Sequence, residues 1–166
     1  MQEPALPVNE FEDGTIDGVI VWPLKAICDQ RGWLVELFRS DELPADNLPA
    51  MAYLSETLPG VLRGPHEHAD QDDLFLFVGP GDFELFCWDI RPASRTRGKR
   101  QRLAAGASHP LRVLVPKGVV HAYRNISSSP GWVFNAPNRL YRGRNRSEPV
   151  DEIRYEQSPD HPFRTE

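Results

Sequence analysis

The stretch LFLFVGPG (residues 74–81) ends an apolar run with a Gly-Pro-Gly turn, and a second apolar run, FELFCWDI (residues 83–90), follows it. Short runs that are rich in aromatic and aliphatic residues and bounded by Gly and Pro are typical of β-strands. The two runs therefore predict a pair of strands joined by a tight turn.

The same pattern recurs on both sides of this stretch. Further apolar runs occupy residues 19–22, 33–38, 111–115, 119–126 and 132–134, and residues 43–48 have room for only one short helix. The chain contains 16 Pro and 12 Gly, a composition that disfavours a helical bundle. Seven or more strands at a spacing of ~8–12 residues predict an all-β sandwich or barrel.

Length and charge narrow the classes of function. A chain of 166 residues predicts a single domain over residues 1–166, whose polar segment 1–12 we expect to be loosely ordered. The formal net charge of −5 argues against a nucleic-acid partner, and no apolar run is long enough to span a membrane. Two cysteines are too few for a disulfide framework, which favours a cytoplasmic location.

Three histidines are candidates for a site. His66 and His68 are two residues apart, and on a strand such residues face the same side. His121 follows the turn that Pro116 and Gly118 predict. This arrangement suits either a polar pocket without metal or a metal shell formed by His66, His68, His121 and Asp72 or Asp73.

Several spaced motifs then resemble one protein family over residues 25–155. The segments DQRGWLVELF (29–38), GVLRGPH (60–66), DIRPASRTRG (89–98) and PKGVVH (116–121) are similar to those of the dTDP-4-dehydrorhamnose 3,5-epimerases, as is the pair Gln71 and Leu74. The resemblance implies a cupin-type double-stranded β-helix (jelly roll), a homodimer and no cofactor. It also implies proton transfer next to the keto group of a nucleotide-linked 4-keto-6-deoxyhexose in deoxysugar biosynthesis, and we expect the nucleotide to be dTDP.

The resemblance also implies roles for individual residues. His66 takes the position of the catalytic base, His68 is a second acid/base candidate, and Asp160 is the only candidate for the carboxylate that pairs with the base. The implied substrate-binding residues are Arg31, Glu36, Arg63, Gln71, His121 and Tyr141.

Three positions depart from the family pattern: the segment MAYLS (51–55) lacks the family's base-binding glutamine, and the other two affect catalytic groups. Asp73 stands where the family has a lysine, which predicts an anion beside the developing enolate, the wrong sign for this chemistry. Phe134 or Asn135 stands where the family has an acid tyrosine. Three alternatives therefore stay open. Residues 63–68 resemble the R-G-x-H-x-H segment of sugar 3,4-ketoisomerases, which is the first. The second is a metal-dependent cupin enzyme that uses His66, His68, Asp72 and His121, and the third is a non-catalytic sugar-binding cupin.

Overall fold

A computed structural model describes residues 8–166 of the chain. Residues 1–7 of the expected loosely ordered segment lie outside the described residues. The remainder of that segment differs from the expectation, because the ring of Phe11 packs 5.7 Å from that of Phe163 and Glu12 pairs with Lys99 on a neighbouring strand.

Nearly all of the regular structure is β. The strands are β1 (Glu12–Asp13), β2 (Ile20–Pro23), β3 (Ile27–Asp29), β4 (Gly32–Leu34), β5 (Tyr53–Thr57), β6 (Leu62–Glu67), β7 (Asp73–Phe77), β8 (Asp82–Asp89), β9 (Lys99–Gly106), β10 (Leu111–Val115), β11 (Val119–Asn125), β12 (Gly131–Asn135) and β13 (Ile153–Arg154). Short 3₁₀ turns occupy Ala45–Asn47, Arg144–Arg146 and Tyr155–Gln157.

Two sheets form the body of the molecule. The six-stranded sheet has the order β1-β9-β8-β11-β6-β13, and the five-stranded sheet has the order β2-β10-β7-β12-β5. Non-consecutive strands lie side by side in both sheets, as expected for a jelly roll. The predicted all-β cupin-type jelly roll in a single domain is confirmed.

The apolar runs 74–81 and 83–90 form β7, β8 and the turn between them, and every residue of β7 is buried. A strand that is covered on both faces reads as a continuous apolar run, which explains LFLFV. The interior between the sheets is aromatic: Phe75 and Phe77 of β7 pack against Tyr123 of β11 at ring distances of 5.7 and 6.0 Å. The Phe75 ring also contacts that of His121 at 5.3 Å, so the core supports the histidines directly.

Several strands differ from the prediction, and β1, β3, β5, β6 and β13 correspond to none of the predicted apolar runs. The run 33–38 was expected to be one strand, but only Gly32–Leu34 is paired, in a separate hairpin of β3 and β4 whose residues are all exposed. Strand β9 (KRQRLAAG) was not predicted, because its polar side chains conceal its role. Backbone pairing with β8 holds β9 in place.

No helix in residues 8–166 is both long and apolar enough to cross a membrane.

Candidate functional site

One large cavity opens at one end of the molecule. It has a volume of about 1100 Å³ and receives side chains from both sheets, among them Tyr53, His66, Phe75 and Tyr123. The segment 137–156 covers one side of it.

Strands β6 and β11 bring the three predicted histidines together. His66 is opposite His121 in the antiparallel register, and a shift in that register follows between His121 and Tyr123. Pleating turns His66 into the cavity while Glu67 points away and accepts a 2.5 Å hydrogen bond from the Tyr155 hydroxyl. His68 follows the end of β6, and one ring nitrogen from each histidine lies within 4.8 Å of the others.

Backbone carbonyls determine how two of the rings are protonated. Nδ1 of His121 lies 3.1 Å from the Val119 carbonyl oxygen, and Nδ1 of His68 bonds to the Asp151 carbonyl oxygen. A carbonyl oxygen can only accept, so both Nδ1 atoms carry protons. The two Nε2 atoms point to the same Asp73 oxygen, at 3.2 Å from His121 and 3.3 Å from His68.

Asp73 is an anion, as expected, but its surroundings change the effect of that charge. Asp73 is fully buried behind the histidines, and its other oxygen accepts hydrogen bonds from Gln71 and Asn135 at 2.9 and 2.8 Å. Burial alone would raise the pKa of Asp73, but its contacts with His121 and His68 lower it. Burial also opposes charge on His68, but the contact with Asp73 outweighs burial and raises the pKa of His68 to about 9. The acidic residue therefore stabilises a cation at the cavity surface.

His66 has the opposite character. Burial, reinforced by the neighbouring His121, lowers the pKa of His66 to about 3, so this imidazole is neutral at pH 7. Its Nδ1 lies 3.8 Å from Oε1 of Glu152. Asp160 is not the nearby carboxylate that the sequence suggested. Pairing of β13 with β6 places Arg154 opposite His66 and brings Glu152 to the ring instead.

The donor set also fits a divalent metal ion, with one correction. Asp72 is not part of the cluster, because its oxygens accept hydrogen bonds from Asn47, Asn138 and the Lys117 backbone. Asp73 takes its place. Oδ2 of Asp73 and Nε2 of His121 are buried without a hydrogen-bond partner among the described residues. Three imidazole nitrogens and a carboxylate are a donor set that suits Fe, Mn, Ni or Zn.

Five arginines also line the cavity. Arg63 is held by Nε donation to Thr57 Oγ1 at 2.9 Å and Nη2 donation to the Glu56 carbonyl at 2.6 Å. The covering segment adds Arg139, Arg142, Arg146 and Arg154. Tyr141 lies among them at the mouth and is 54% exposed. Gln71 lines the cavity, whereas His121 lies behind His66 with ring centroids 4.6 Å apart.

The structure does not bring Arg31 and Glu36 to this cavity. Arg31 is bound to Asp29 at the turn of the exposed β3–β4 hairpin, and Glu36 lies beside Arg39. The reason is that this hairpin pairs with neither sheet of its own chain.

Sequence reasoning missed several lining residues. Tyr53 and Glu152 lie in segments that resemble the family only loosely and were not predicted as site residues, and the three-dimensional pairing of strands brings them in. The arginines of the covering segment had a visible signal, the repeated Arg in RLYRGRNR (residues 139–146).

Comparisons with known proteins agree on one family. A family model described as dTDP-4-dehydrorhamnose 3,5-epimerase matches residues 13–147. The chain is 37% identical over 115 residues to the spore coat polysaccharide biosynthesis protein SpsL of Bacillus subtilis, covering 69% of this chain and 75% of that one. It is 35% identical over 127 residues to the probable low-salt glycan biosynthesis epimerase Agl13 of Haloferax volcanii, covering 76% and 81%. Among solved structures, a dTDP sugar isomerase from Desulfovibrio desulfuricans G20 matches with a TM-score of 0.77 at 22% identity, covering 90% and 91%.

Proposed function

The chain belongs to the dTDP-4-dehydrorhamnose 3,5-epimerase family, and on that premise we propose that it moves a proton at a carbon next to the keto group of a dTDP-linked 4-keto-6-deoxyhexose. Membership makes it an enzyme of the epimerase and isomerase class. The observation that carries the proposal is the pairing, in one cavity, of a neutral imidazole, His66, with a cationic one, His68.

The two imidazoles divide the work. His66 accepts the proton from the carbon beside the carbonyl, and the electrons of the broken C–H bond move to the keto oxygen to form an enolate. His68 presents positive charge to that oxygen, the contribution that a cation makes to such an intermediate. Glu152, at 3.8 Å from Nδ1 of His66, stabilises the proton once it is transferred.

The arginines of the cavity suit the nucleotide end of the substrate. A guanidinium meets a phosphate with two parallel hydrogen bonds, and five arginines line this one cavity. We assign diphosphate binding to Arg63 and to the arginines of the segment 139–154, with Gln71 and Tyr141 lining the path to the sugar.

Deuterium exchange tests the proposal. Wild-type protein in deuterated water is expected to exchange the hydrogen at C3 or C5 of dTDP-4-keto-6-deoxyglucose for deuterium. Proton NMR measures the loss of the hydrogen signal. Removing the base in His66→Asn is expected to slow this exchange by at least about 100-fold. His109→Asn alters an exposed histidine on the loop between β9 and β10 and serves as the matched control. Exchange at the wild-type rate in His66→Asn, or none with the wild type, contradicts the proposal.

Carbon-13 spectra of the same incubation separate epimerisation from 3,4-ketoisomerisation, which would move the carbonyl carbon from C4 to C3.

A metal-assisted form of the reaction is the second candidate. The observation that favours it is the convergence of Nε2 of His68, Nε2 of His121 and the unpaired Oδ2 of Asp73. Acceptor atoms this close together repel one another unless a proton or a cation lies between them. His68, His121 and Asp73 would hold the ion, with His66 nearby. A bound divalent ion supplies a Lewis acid for a carbonyl oxygen.

We also propose a homodimer in the cytoplasm. The β3–β4 hairpin exposes Ile27, Trp33 and Leu34, which are 64%, 64% and 59% accessible, and a second copy would cover them. Arg31 and Glu36 on and after this hairpin could then serve the partner's cavity. Sedimentation should give a dimer for the wild type and a monomer for Trp33→Asp.

The unpaired Cys28 and Cys87 support a reducing compartment.

A further inference from the structure

Tyr53 begins β5, the edge strand of the five-stranded sheet, and is directly opposite Asn135 of β12. Alternation along β5 turns Tyr53, Ser55 and Thr57 to the cavity that they line. The strand position at which the family's tyrosine was expected therefore faces a tyrosine from the neighbouring strand.

The Tyr53 hydroxyl carries a proton for which the described residues offer no acceptor. It accepts a 2.9 Å hydrogen bond from Nδ2 of Asn135, and the same amide nitrogen donates to Oδ1 of Asp73 at 2.8 Å. Because the amide is the donor, the phenol keeps its own proton, and no acceptor for it occurs among the hydrogen bonds of the described residues. Burial and the charge of Asp73 raise the pKa of Tyr53, so the group is protonated at neutral pH.

The other three tyrosines of the chain are placed differently. The Tyr123 hydroxyl lies 3.1 Å from Ser55 Oγ, and that of Tyr155 donates to Glu67 outside the cavity lining. Tyr141 lies at the mouth, on the segment that carries the arginines. Tyr53 alone among them belongs to the polar network around Asp73.

Tyr53 and His66 belong to different sheets. Tyr53 enters the cavity from the five-stranded sheet and His66 from the six-stranded sheet. A flat enolate held between the sheets would present one face to each side chain. Inversion at carbon requires removal of a proton from one face and return of a proton to the other.

We infer that Tyr53 is the general acid that returns a proton to the enolate on the face opposite His66, an assignment that rests on the proposed function. The O–H bond of Tyr53 breaks as the new C–H bond forms, and the electrons of the enolate return to rebuild the carbonyl group. The phenolate that remains accepts the hydrogen bond from Asn135 and regains a proton from water.

Two readouts from one incubation test this role. In Tyr53→Phe, His66 can still remove and return a proton on its own face, so deuterium exchange into dTDP-4-keto-6-deoxyglucose is expected within about threefold of the wild type. The rate at which the inverted sugar forms is expected to fall at least about 100-fold, and NMR coupling constants identify that sugar. Tyr141→Phe removes the phenol at the mouth of the same cavity and tests the rival assignment of the acid.

Each outcome decides the assignment. Inversion at the wild-type rate in Tyr53→Phe overturns it, and loss of inversion without loss of exchange in Tyr141→Phe transfers the role to Tyr141. Equal loss of exchange and inversion in Tyr53→Phe, with an unchanged melting temperature and unchanged dTDP binding, also overturns it, because the residue would then act before deprotonation. Failure of exchange in the wild type instead refutes the proposed function itself.

Discussion

The Asp73 carboxylate shows at the scale of a single residue how its surroundings determine the effect of a charge. Alone in a dry site, an anion would oppose an enolate. Here Asp73 is buried, and its contact raises the pKa of His68, so that this imidazole is positively charged. Its contribution is therefore indirect, through His68.

Oδ2 of Asp73 and the Nε2 atoms of His68 and His121 lead to a prediction about metal binding. If the metal-assisted candidate holds, wild-type protein stripped with chelator binds one Co²⁺ per chain, because two imidazole nitrogens and a carboxylate oxygen converge. Calorimetry gives the affinity, and visible absorption reports the ligands. Asp73→Asn should weaken binding at least tenfold, or by about 1.4 kcal/mol.

His109→Asn should leave that affinity unchanged, because His109 is exposed and is not part of the histidine cluster. A wild type that takes up no Co²⁺ would mean that protons alone occupy the space between the ring nitrogens and Asp73.

At the scale of elements, the contact between β6 and β11 positions His66 against His121. Gly64 of β6 has a φ of +92°, and a Cβ there would lie 2.6 Å from the carbonyl oxygen of His121. The two strands approach this closely because the position has no side chain.

Gly64→Ala is therefore expected to lower the free energy of unfolding by about 3 kcal/mol, from a strained φ together with a backbone clash. It should also reduce deuterium exchange, since His66 and His121 are paired across this contact. Urea denaturation measures the first effect, and NMR the second.

Gly60→Ala separates the two causes. Gly60 has a φ of +73°, but a Cβ at this position would meet nothing within 4 Å, so only the conformational cost of about 1 kcal/mol applies. Equal losses in the two variants would show that the β6–β11 contact does not matter.

At the scale of the whole molecule, one buried carboxylate ties the β8 end to the loop before β9. Asp89 is completely buried and accepts hydrogen bonds from Arg91, Ser94 and Thr96. Burial opposes its charge, but these hydrogen bonds prevail and lower the pKa of Asp89 to about 2.

A lowered pKa in the folded state makes stability depend on acid. The contribution of Asp89 is complete above its unfolded pKa near 3.8 and is lost as the pH falls through about 2. Asp89→Asn should thus cost about 2 kcal/mol of unfolding free energy at pH 7, and this deficit should shrink between pH 4 and pH 2.

Urea titrations across that pH range measure the deficit. Asp46→Asn, on the exposed Ala45–Asn47 turn, is the matched control and should leave stability unchanged at every pH. A deficit for Asp89→Asn that is the same at pH 2 and pH 7 would rule out the ionic origin.

Local sequence was enough to predict the all-β class and the central histidines. Strand period, turn residues and the two-residue spacing of His66 and His68 are local properties, and a short window of sequence contains them completely. For the same reason β7 and β8 were predictable from a single stretch, whereas polar β9 was not.

The surroundings of those histidines, in contrast, depend on the tertiary structure. Glu152 rather than Asp160 approaches His66, Tyr53 is opposite Asn135, and Arg31 lies outside the cavity of its own chain. The first two of these contacts result from strand pairing between segments more than 80 residues apart, and no local pattern encodes such pairings. The charge of a side chain likewise depends on its burial and partners, which exist only once the sheets have closed.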